Sequence, residues 1–506
     1  MKKGLFLIIA ITMLQPMSAQ VLKTHEIDRM TDDHLSDGIE KLRTFLTLSN
    51  IGSNPNDIDE NLNWCRQTFE SLGFTTETLL SNEVKHLLAQ RQINAALPTL
   101  LVYLQIDGQP VDPKKWEQEN PFIPELKENQ NGKFKTIPWS ALNKEINPDW
   151  RIFARSSSDS KGPAVAFIHA LSLLQSSKID LSYNLKIIMD FQEELGSPTL
   201  SKLVESNRAK FEADALLIMD GTRPPSNIPT LTFGARGIAT LKLTVYGANT
   251  DLHSGQYGNY APNPVFHLSK LLGAMKDDDG KVLIPGYYDG VVMTEQKRTL
   301  IRTSLDQEQQ LNNRLGIAKA ETVGATYQES LQFPSLNVRG LKAAWTGEQV
   351  RKIIPSTAIA EMDLRLVPRT PAERQISLIK SFIESKGFYI VEKDPTQEER
   401  LQHPKLIKVE SRIGSRAFQT ALDSKLALWL EKVMTEVFGE NNFFRMQTTG
   451  GSQPIAPFIT ELNLPALSVR IPNPDNNIHA PNENLRLGNF KEGIKMCLGI
   501  LSHPYE

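Results

Sequence analysis

Apolar residues follow two different patterns along the chain, and the pattern changes near residue 236. Nearly continuous apolar runs of strand length occur at residues 100–106, 185–191 and 215–219, as expected for strands buried on both faces of a sheet. Amphipathic helices are predicted at residues 37–46 and 58–72, and a helix with small residues on its early turns is predicted at 162–174. Strands that alternate with helices predict an α/β domain with a mostly parallel sheet.

Beyond residue 236, apolar and polar residues alternate at residues 237–246 and 359–367, which predicts strands exposed on one face. Helices are expected at 263–275 and 372–386, so this segment reads as a separate α+β domain inserted into the first. A helix at 422–438 and a strand at 466–469 then rejoin the α/β domain. The predicted boundaries are 1–20 for a leader, 21–235 and 413–506 for the two parts of the α/β domain, and 236–412 for the insertion.

The first 20 residues are typical of a secretory signal peptide. Lys2 and Lys3 precede an apolar run at residues 5–14, and Ser18 and Ala19 offer small side chains for cleavage. An anchored helix is the alternative, but the run is short for a bilayer span. We therefore expect an exported protein, periplasmic or secreted, that is soluble after the signal is removed.

Composition narrows the function classes. The net charge of −2 with 23% charged residues argues against a nucleic-acid-binding surface. Cys65 and Cys497 are too far apart in sequence for a metal-binding cluster or a disulfide framework. A single long-range disulfide stays open, although two buried thiols are the simpler interpretation.

Acidic residues follow the three predicted buried strands. Asp107 comes after the first, Glu193 and Glu194 after the second, and Asp220 after the third, while Asp159 precedes a helix. Carboxyl ends of parallel strands are where binding sites form, and carboxylates brought together repel unless a cation lies among them. These acids therefore predict a metal site, and His479, in a loop after the last strand, is a further candidate ligand.

In this order, the motifs resemble those of the co-catalytic zinc metallopeptidases that include carnosinase, carboxypeptidase G, glutamate carboxypeptidase and succinyl-diaminopimelate desuccinylase. The resemblance covers nearly all of the chain after the leader. The motifs that carry it are Gln105-Ile-Asp107, Arg155-Ser-Ser-Ser-Asp-Ser-Lys-Gly-Pro163, Gln192-Glu-Glu-Leu-Gly-Ser197, Asp220, Asp251-Leu-His-Ser-Gly255, Asn263-Pro264, Gly450-Gly-Ser-Gln-Pro454 and His479.

The resemblance implies a role for each of these residues. Two divalent metal ions, zinc or else manganese, would share Asp159. Glu194 and His479 would complete the shell of one metal, and Asp220 with Gln105 that of the other. Glu193 would be the general base, and Asp107 would orient the metal ligands from behind. The α/β domain would have the phosphorylase/hydrolase-like fold, and the inserted domain would be a lid through which two chains form a homodimer, with His253 reaching the partner's substrate. Arg365 would bind the substrate carboxylate. Apart from the resemblance, the Gly-Gly-Ser turn could place the backbone of Ser452 near that carboxylate, and a tight turn chosen for its backbone angles is the alternative.

Gln105 departs from the family pattern, which has histidine at this position. An amide oxygen is a weaker zinc ligand than imidazole, so the metal beside Asp220 is expected to bind weakly. The implied function is hydrolysis of dipeptides or short peptides by a metal-activated water. Two alternatives remain open, a deacylase of N-acyl amino acids and a non-catalytic peptide-binding paralogue.

Overall fold

The computed structural model describes residues 21–302 and 308–505, so the predicted signal peptide lies outside the described residues. In chain order the strands are β1 (Thr75–Ser81), β2 (Val84–Arg91), β3 (Thr99–Gln105), β4 (Glu125–Gln130), β5 (Lys133–Thr136), β6 (Arg151–Phe153), β7 (Asn184–Asp190), β8 (Ala215–Ile218), β9 (Thr230–Thr232), β10 (Gly234–Ala235), β11 (Gly237–Tyr246), β12 (Leu252–His253), β13 (Ser335–Lys342), β14 (Ile353–Ile354), β15 (Thr357–Leu366), β16 (Tyr389–Val391), β17 (Leu406–Ile413), β18 (Phe418–Gln419), β19 (Phe444–Met446), β20 (Ala466–Arg470) and β21 (Asn484–Arg486).

The helices are α1 (Thr24–Asp33), α2 (Leu35–Leu46), α3 (Pro55–Ser71), α4 (Lys161–Ser176), α5 (Leu200–Ser206), α6 (Arg208–Phe211), α7 (Ser254–Tyr257), α8 (Pro264–Met275), α9 (Glu295–Arg302), α10 (Glu308–Leu315), α11 (Tyr327–Ser330), α12 (Ala372–Ser385), α13 (Gln397–Gln402), α14 (Lys425–Phe438), α15 (Ala456–Leu462) and α16 (Leu487–Ser502). Among the described residues, no helix is long and apolar enough to cross a bilayer.

The α/β domain is built on an eight-stranded sheet in the order β1-β2-β7-β3-β8-β20-β9-β19. Its central strands β7, β3, β8 and β20 are parallel, and antiparallel pairs flank them. Every residue of β3 after Thr99 is buried, since helices cover both faces of the sheet. The predicted α/β fold is therefore confirmed. Cys65 and Cys497 are free and buried in this domain, as the simpler interpretation expected.

The inserted segment has its own five-stranded sheet, in the order β13-β15-β11-β17-β16. Burial alternates residue by residue along β15, so one face of the strand packs inward while the other is partly exposed. Helices α8 and α12 contribute apolar residues to a separate core on that buried face. We call this inserted domain the lid.

Residues 127–148 are polar and rich in asparagine and lysine, a composition that predicts a surface insertion. The structure instead places their first part in the hairpin β4–β5, which joins β6 and β21 in a four-stranded sheet. Most side chains of β5 are exposed, but Lys127 is buried over the ring of Phe153. The polar composition therefore identified an exposed segment and missed its strand pairing.

Candidate metal centre

The carboxyl edge of the large sheet carries the acidic residues that the sequence singled out. Asp107 follows β3 and Asp220 follows β8, while Glu193 and Glu194 form the 3-10 turn after β7. Because these strands are parallel neighbours, their ends lie side by side. Asp159 joins them from the segment before α4.

Three of the predicted ligands converge on one point. The Nε2 atom of His479 lies 2.9 Å from Asp159 Oδ2 and 3.1 Å from Glu194 Oε2. One ligand atom from each of the three residues lies within 4.8 Å of the others. Two carboxylates and an imidazole are the ligand count and type of a catalytic zinc site, in which a further position stays open.

His479 has a backbone φ of 58°. This left-handed conformation costs a non-glycine residue about 1–2 kcal/mol. Backbone strain of this kind persists where the surrounding structure fixes it, and it is concentrated at functional sites.

The charges of the cluster are unbalanced without a cation. Burial, followed by the neighbouring carboxylates, raises the pKa of Glu193 well above its ordinary value. Burial also raises the pKa of Asp159, although its hydrogen bond with His479 opposes that rise. Hydrogen bonds to Asp159 and Glu194 raise the pKa of His479 to about 10. The two carboxylates that hold this proton would also stabilise a divalent cation placed between them.

The residues present therefore fit a metal ion at this position. Besides the converging donors, Glu194 has a buried Oε1 atom with no hydrogen-bond partner among the described residues. An unpaired buried carboxylate oxygen is costly, and coordination would relieve that cost. Gln109 donates to the other oxygen of Glu194 at 2.7 Å, which holds the carboxylate in place.

Asp107 holds the turn that carries the glutamate pair. Its Oδ1 accepts a hydrogen bond from the Glu193 backbone N–H at 2.9 Å, and its Oδ2 accepts one from the Glu194 N–H at 3.1 Å. Gly52 packs against the same carboxylate, and a Cβ there would lie 2.7 Å from Oδ2. Burial and the charge of Asp190 raise the pKa of Asp107 well above its ordinary value. Asp107 thus contacts the backbone of the turn.

The position predicted for a second metal is less complete. Ser160 Oγ lies 3.1 Å from Asp159 Oδ1 and 3.0 Å from Asp220 Oδ1, so the hydroxyl bridges the two carboxylates. Gln453 donates to the other oxygen of Asp220 at 3.0 Å. The side chain of Gln105 is buried, and its Nε2 atom has no partner in the described part of the chain. Two carboxylates and a neutral amide are a weaker donor set than the His479 cluster.

Glu483 is a site residue that the sequence reasoning missed. Its fully buried carboxylate accepts hydrogen bonds from the backbone N–H groups of Ser156, Ser158 and Asp159 and from the Arg155 side chain, at 2.7–2.9 Å. Glu483 thereby ties the loop of His479 to the loop of Asp159. The sequence offered one indication of its role, since Glu483 closes the polar segment that contains His479. Its hydrogen-bond partners, however, lie more than 300 positions earlier in the chain.

The predicted substrate residues are only partly brought together. Arg365 on β15 donates to Ser452 Oγ at 2.8 Å, which connects the lid to the α/β domain. His253 is exposed on the lid, and its Nδ1 accepts the backbone N–H of Gly255 at 3.1 Å. Within a single chain, His253 lies outside the cavity that contains the cluster.

A cavity of about 540 Å³ opens beside the cluster. Glu193, Glu194 and His479 lie on one side of it, and Ser452 lies on another. Residues 412–416, which lead from the lid back to the α/β domain, complete the wall. The cavity places a general base and candidate metal ligands beside a space large enough for a short peptide.

This arrangement of acids, histidine and cavity at a sheet edge defines a metal-dependent hydrolase. Residues 101–503 match the model of Peptidase family M20/M25/M40, and the chain belongs to that family. It is therefore a peptidase, as the sequence motifs implied.

The chain is similar to several characterised proteins of this family. It is 28% identical to the human Beta-Ala-His dipeptidase over 358 residues, which cover 69% of this chain and 67% of that protein. It is 25% identical to the Cys-Gly metallodipeptidase of Candida albicans over 495 residues, which cover 92% and 94%.

Solved structures agree on the fold. A metallo-carboxypeptidase, Sso-CP2, from Sulfolobus solfataricus superposes with a TM-score of 0.75 at 26% identity, over 93% of this chain and 99% of that one. Human carnosine dipeptidase 1 superposes with a TM-score of 0.70 at 22% identity, over 96% and 99%, which supports the fold alone.

Proposed function

We propose that this protein hydrolyses the amide bond of dipeptides, or of other short peptides with a free carboxylate, with Glu193 as the general base. The observation that carries the proposal is the convergence of Asp159, Glu194 and His479 beside Glu193 on one cavity. The dipeptidases among its relatives support the substrate class.

Divalent ions would be held by Asp159, Glu194 and His479 at a strong position, and by Asp159, Asp220 and Gln105 at a weaker one. Zinc suits the first donor set, and manganese is the alternative for the second. When bound, such ions polarise a carbonyl and lower the pKa of water. Glu193 accepts the proton of the attacking water and passes it to the leaving amine. Asp107 keeps the Glu193–Glu194 turn in position through its two backbone hydrogen bonds.

The substrate carboxylate is assigned to Arg365 and Ser452. A guanidinium can donate two parallel N–H bonds to a carboxylate, and Arg365 already donates through Nη1 to Ser452, which lines the cavity. A free carboxylate at this end of the cavity leaves the scissile bond of a short peptide beside Glu193.

Activity assays on purified protein test this function. Metal-loaded wild type is expected to hydrolyse dipeptides faster than N-acetyl amino acids, while Glu193→Gln retains its metal and loses turnover by about 100-fold or more. Glu440→Gln, an exposed glutamate on the same domain, is the matched control. Faster turnover of the N-acetyl amino acids would indicate a deacylase instead. Tight peptide binding without turnover, with metal present, would indicate a binding protein.

Dimerisation through the lid is also proposed. β13 is the outer strand of the lid sheet, and among the described residues it pairs with β15 alone. It exposes Val338 and Leu341, at 42% and 66% of their surface. A free strand edge with exposed apolar residues is typical of a surface that pairs with another chain. His253 would then face the partner's site. Light scattering should give twice the chain mass, and Leu341→Lys should halve it.

Export is the last element of the proposal. It rests on the positive start, the apolar run and the small residues within positions 1–20. N-terminal sequencing of protein recovered from the native cell should begin close to residue 21, and a chain that retains Met1 would contradict export by signal cleavage.

A further inference from the structure

A second cavity, of about 620 Å³, lies on the Asp220 side of the metal centre. It is bounded by the segment that follows β8, by Arg470 at the end of β20, by the turn at Thr449 and Gly450, and by α10 and α11 of the lid. The candidate metal ligands do not line this cavity. Arg365 and Ser452, which are assigned to the substrate carboxylate, do not line it either. We call it the arginine cavity, after Arg314 and Arg470, which line it.

Arg470 brings a positive charge to the floor of this cavity. Its side chain is only 6% exposed, and Nη1 donates to the carbonyl oxygen of Thr222 at 2.7 Å. Its Nη2 atom has no hydrogen-bond partner among the described residues, although the guanidinium lines the cavity. Burial lowers the pKa of Arg470 to about 10, with Asp220 opposing the fall, so the group stays protonated at neutral pH.

The Arg470 guanidinium lies against the residue that follows Asp220. Gly221 has a φ of +99°, and a Cβ on it would lie 2.8 Å from Arg470 Cζ. Only glycine therefore suits this position, both for its backbone and for the space that the guanidinium fills. The close approach places the arginine cavity directly beside the candidate metal ligand Asp220.

Arg314 on α10 supplies a second charge from the lid. It is exposed and has no ion pair or hydrogen bond to any residue that the structure describes. Arg223 also lines the cavity, but its guanidinium is already paired with Glu492. Of the lining residues that are described, none is an aspartate or glutamate. Arg314 therefore has no acidic partner among the described residues, and the acid that acts on Arg470 is Asp220, which does not line the cavity. Such a lining favours an anionic group, and arginine binds carboxylates well.

We infer that the arginine cavity binds the side-chain carboxylate of the substrate residue that precedes the scissile bond, so that dipeptides beginning with Asp or Glu are preferred. The inference rests on the proposed function. There, Arg365 and Ser452 bind the carboxylate that follows the scissile bond, and the arginine cavity, which neither of them lines, is left for the residue that precedes that bond. A carboxylate reaching Arg470 Nη2 would accept a hydrogen bond from a donor that has no other partner in the described part of the chain.

Matched substrate pairs test the preference. Wild type should hydrolyse Glu-Ala with a kcat/KM about ten- to a hundred-fold above that of Gln-Ala, because hydrogen bonds between charged groups discriminate by that order. Arg314→Gln and Arg470→Gln should each reduce this ratio towards one, chiefly by lowering the value for Glu-Ala. Arg29→Gln, an exposed arginine on α1, is the matched control and should keep the ratio.

Each other outcome has a definite meaning. Equal rates for Glu-Ala and Gln-Ala in wild type would overturn the inference and leave the proposed function intact. An equal loss of kcat/KM for both substrates in folded Arg314→Gln would also overturn the inference and leave the proposed function intact. The cavity would then bind the main-chain carboxylate or only support the fold. Should Arg470→Gln fail to fold, Arg314→Gln decides alone. If no dipeptide is hydrolysed, the proposed function fails, and calorimetry of Glu-Ala against Gln-Ala still decides whether the cavity selects a carboxylate.

Discussion

Replacing Glu483 by glutamine should weaken both the fold and the metal centre. Each oxygen of the Glu483 carboxylate accepts two hydrogen bonds: Oε1 from the Ser158 and Asp159 N–H groups, and Oε2 from the Ser156 N–H and Arg155 Nη1. Glutamine has the same shape but only one accepting oxygen. Whichever pair the oxygen keeps, the amide nitrogen then faces two donors.

The magnitude follows from burial. The side chains of Arg155 and Glu483 are 4% and 0% exposed, so the guanidinium charge would lose its partner where water does not reach it. Removing one member of a buried pair costs about 3–5 kcal/mol. The loop of Asp159 would also lose its contact with the loop of His479. Mutating a residue that holds metal ligands in position typically reduces metal affinity by about 10–100-fold.

Two measurements check this prediction. Urea unfolding of metal-free protein should show a lower free energy of unfolding for Glu483→Gln, and calorimetric zinc titration should show the weaker affinity. Glu440→Gln, which changes an exposed glutamate, controls for the loss of one negative charge. If Glu483→Gln keeps the wild-type zinc affinity, Glu483 does not position the ligands, and the reasoning is refuted even if stability falls.

Two further predictions concern the second metal and acid pH. Gln105→His should strengthen binding of the second zinc equivalent by about tenfold or more, because imidazole is the better ligand, and unchanged calorimetric affinity would contradict this. The other concerns His169, which is buried with Nε2 2.9 Å from the His34 carbonyl oxygen and Nδ1 unpaired. Burial lowers its pKa to about 4 from 6.5. The unfolded chain therefore binds the proton first, and stability should fall by about 3 kcal/mol as the pH drops from 6.5 to 4. His169→Gln should flatten this decline in urea unfolding curves, and an equally steep decline in the variant would show that other groups cause it.

The central strands and the acids at their ends could be predicted because the signals are local. The run at residues 100–106 is apolar except for Gln105 and became β3, with Asp107 after it. In an open parallel sheet, the carboxyl ends of neighbouring strands then lie together at one edge. The alternation at residues 237–246 likewise predicted β11, since a half-buried strand must alternate.

Other features depend on contacts between distant parts of the chain, which leave no local pattern. The Glu483 carboxylate acts on residues 324 to 328 positions earlier in the sequence. Arg470 meets Gly221 across the sheet edge, and neither residue stands out in its own segment. The helices α9, α10 and α11 of the lid were not predicted, and α9 and α10 are predominantly polar.

The central claim is that Asp159, Glu194 and His479 form a metal site. Calorimetric titration of zinc into metal-free wild type and His479→Ala tests it most directly, with dipeptide turnover followed in the same samples. The account predicts one tightly bound zinc and a weaker second one in wild type, turnover that depends on the metal, and loss of the tight zinc together with turnover in His479→Ala. Equal zinc affinity in the two proteins, or turnover by wild type that stays metal-free, would contradict it.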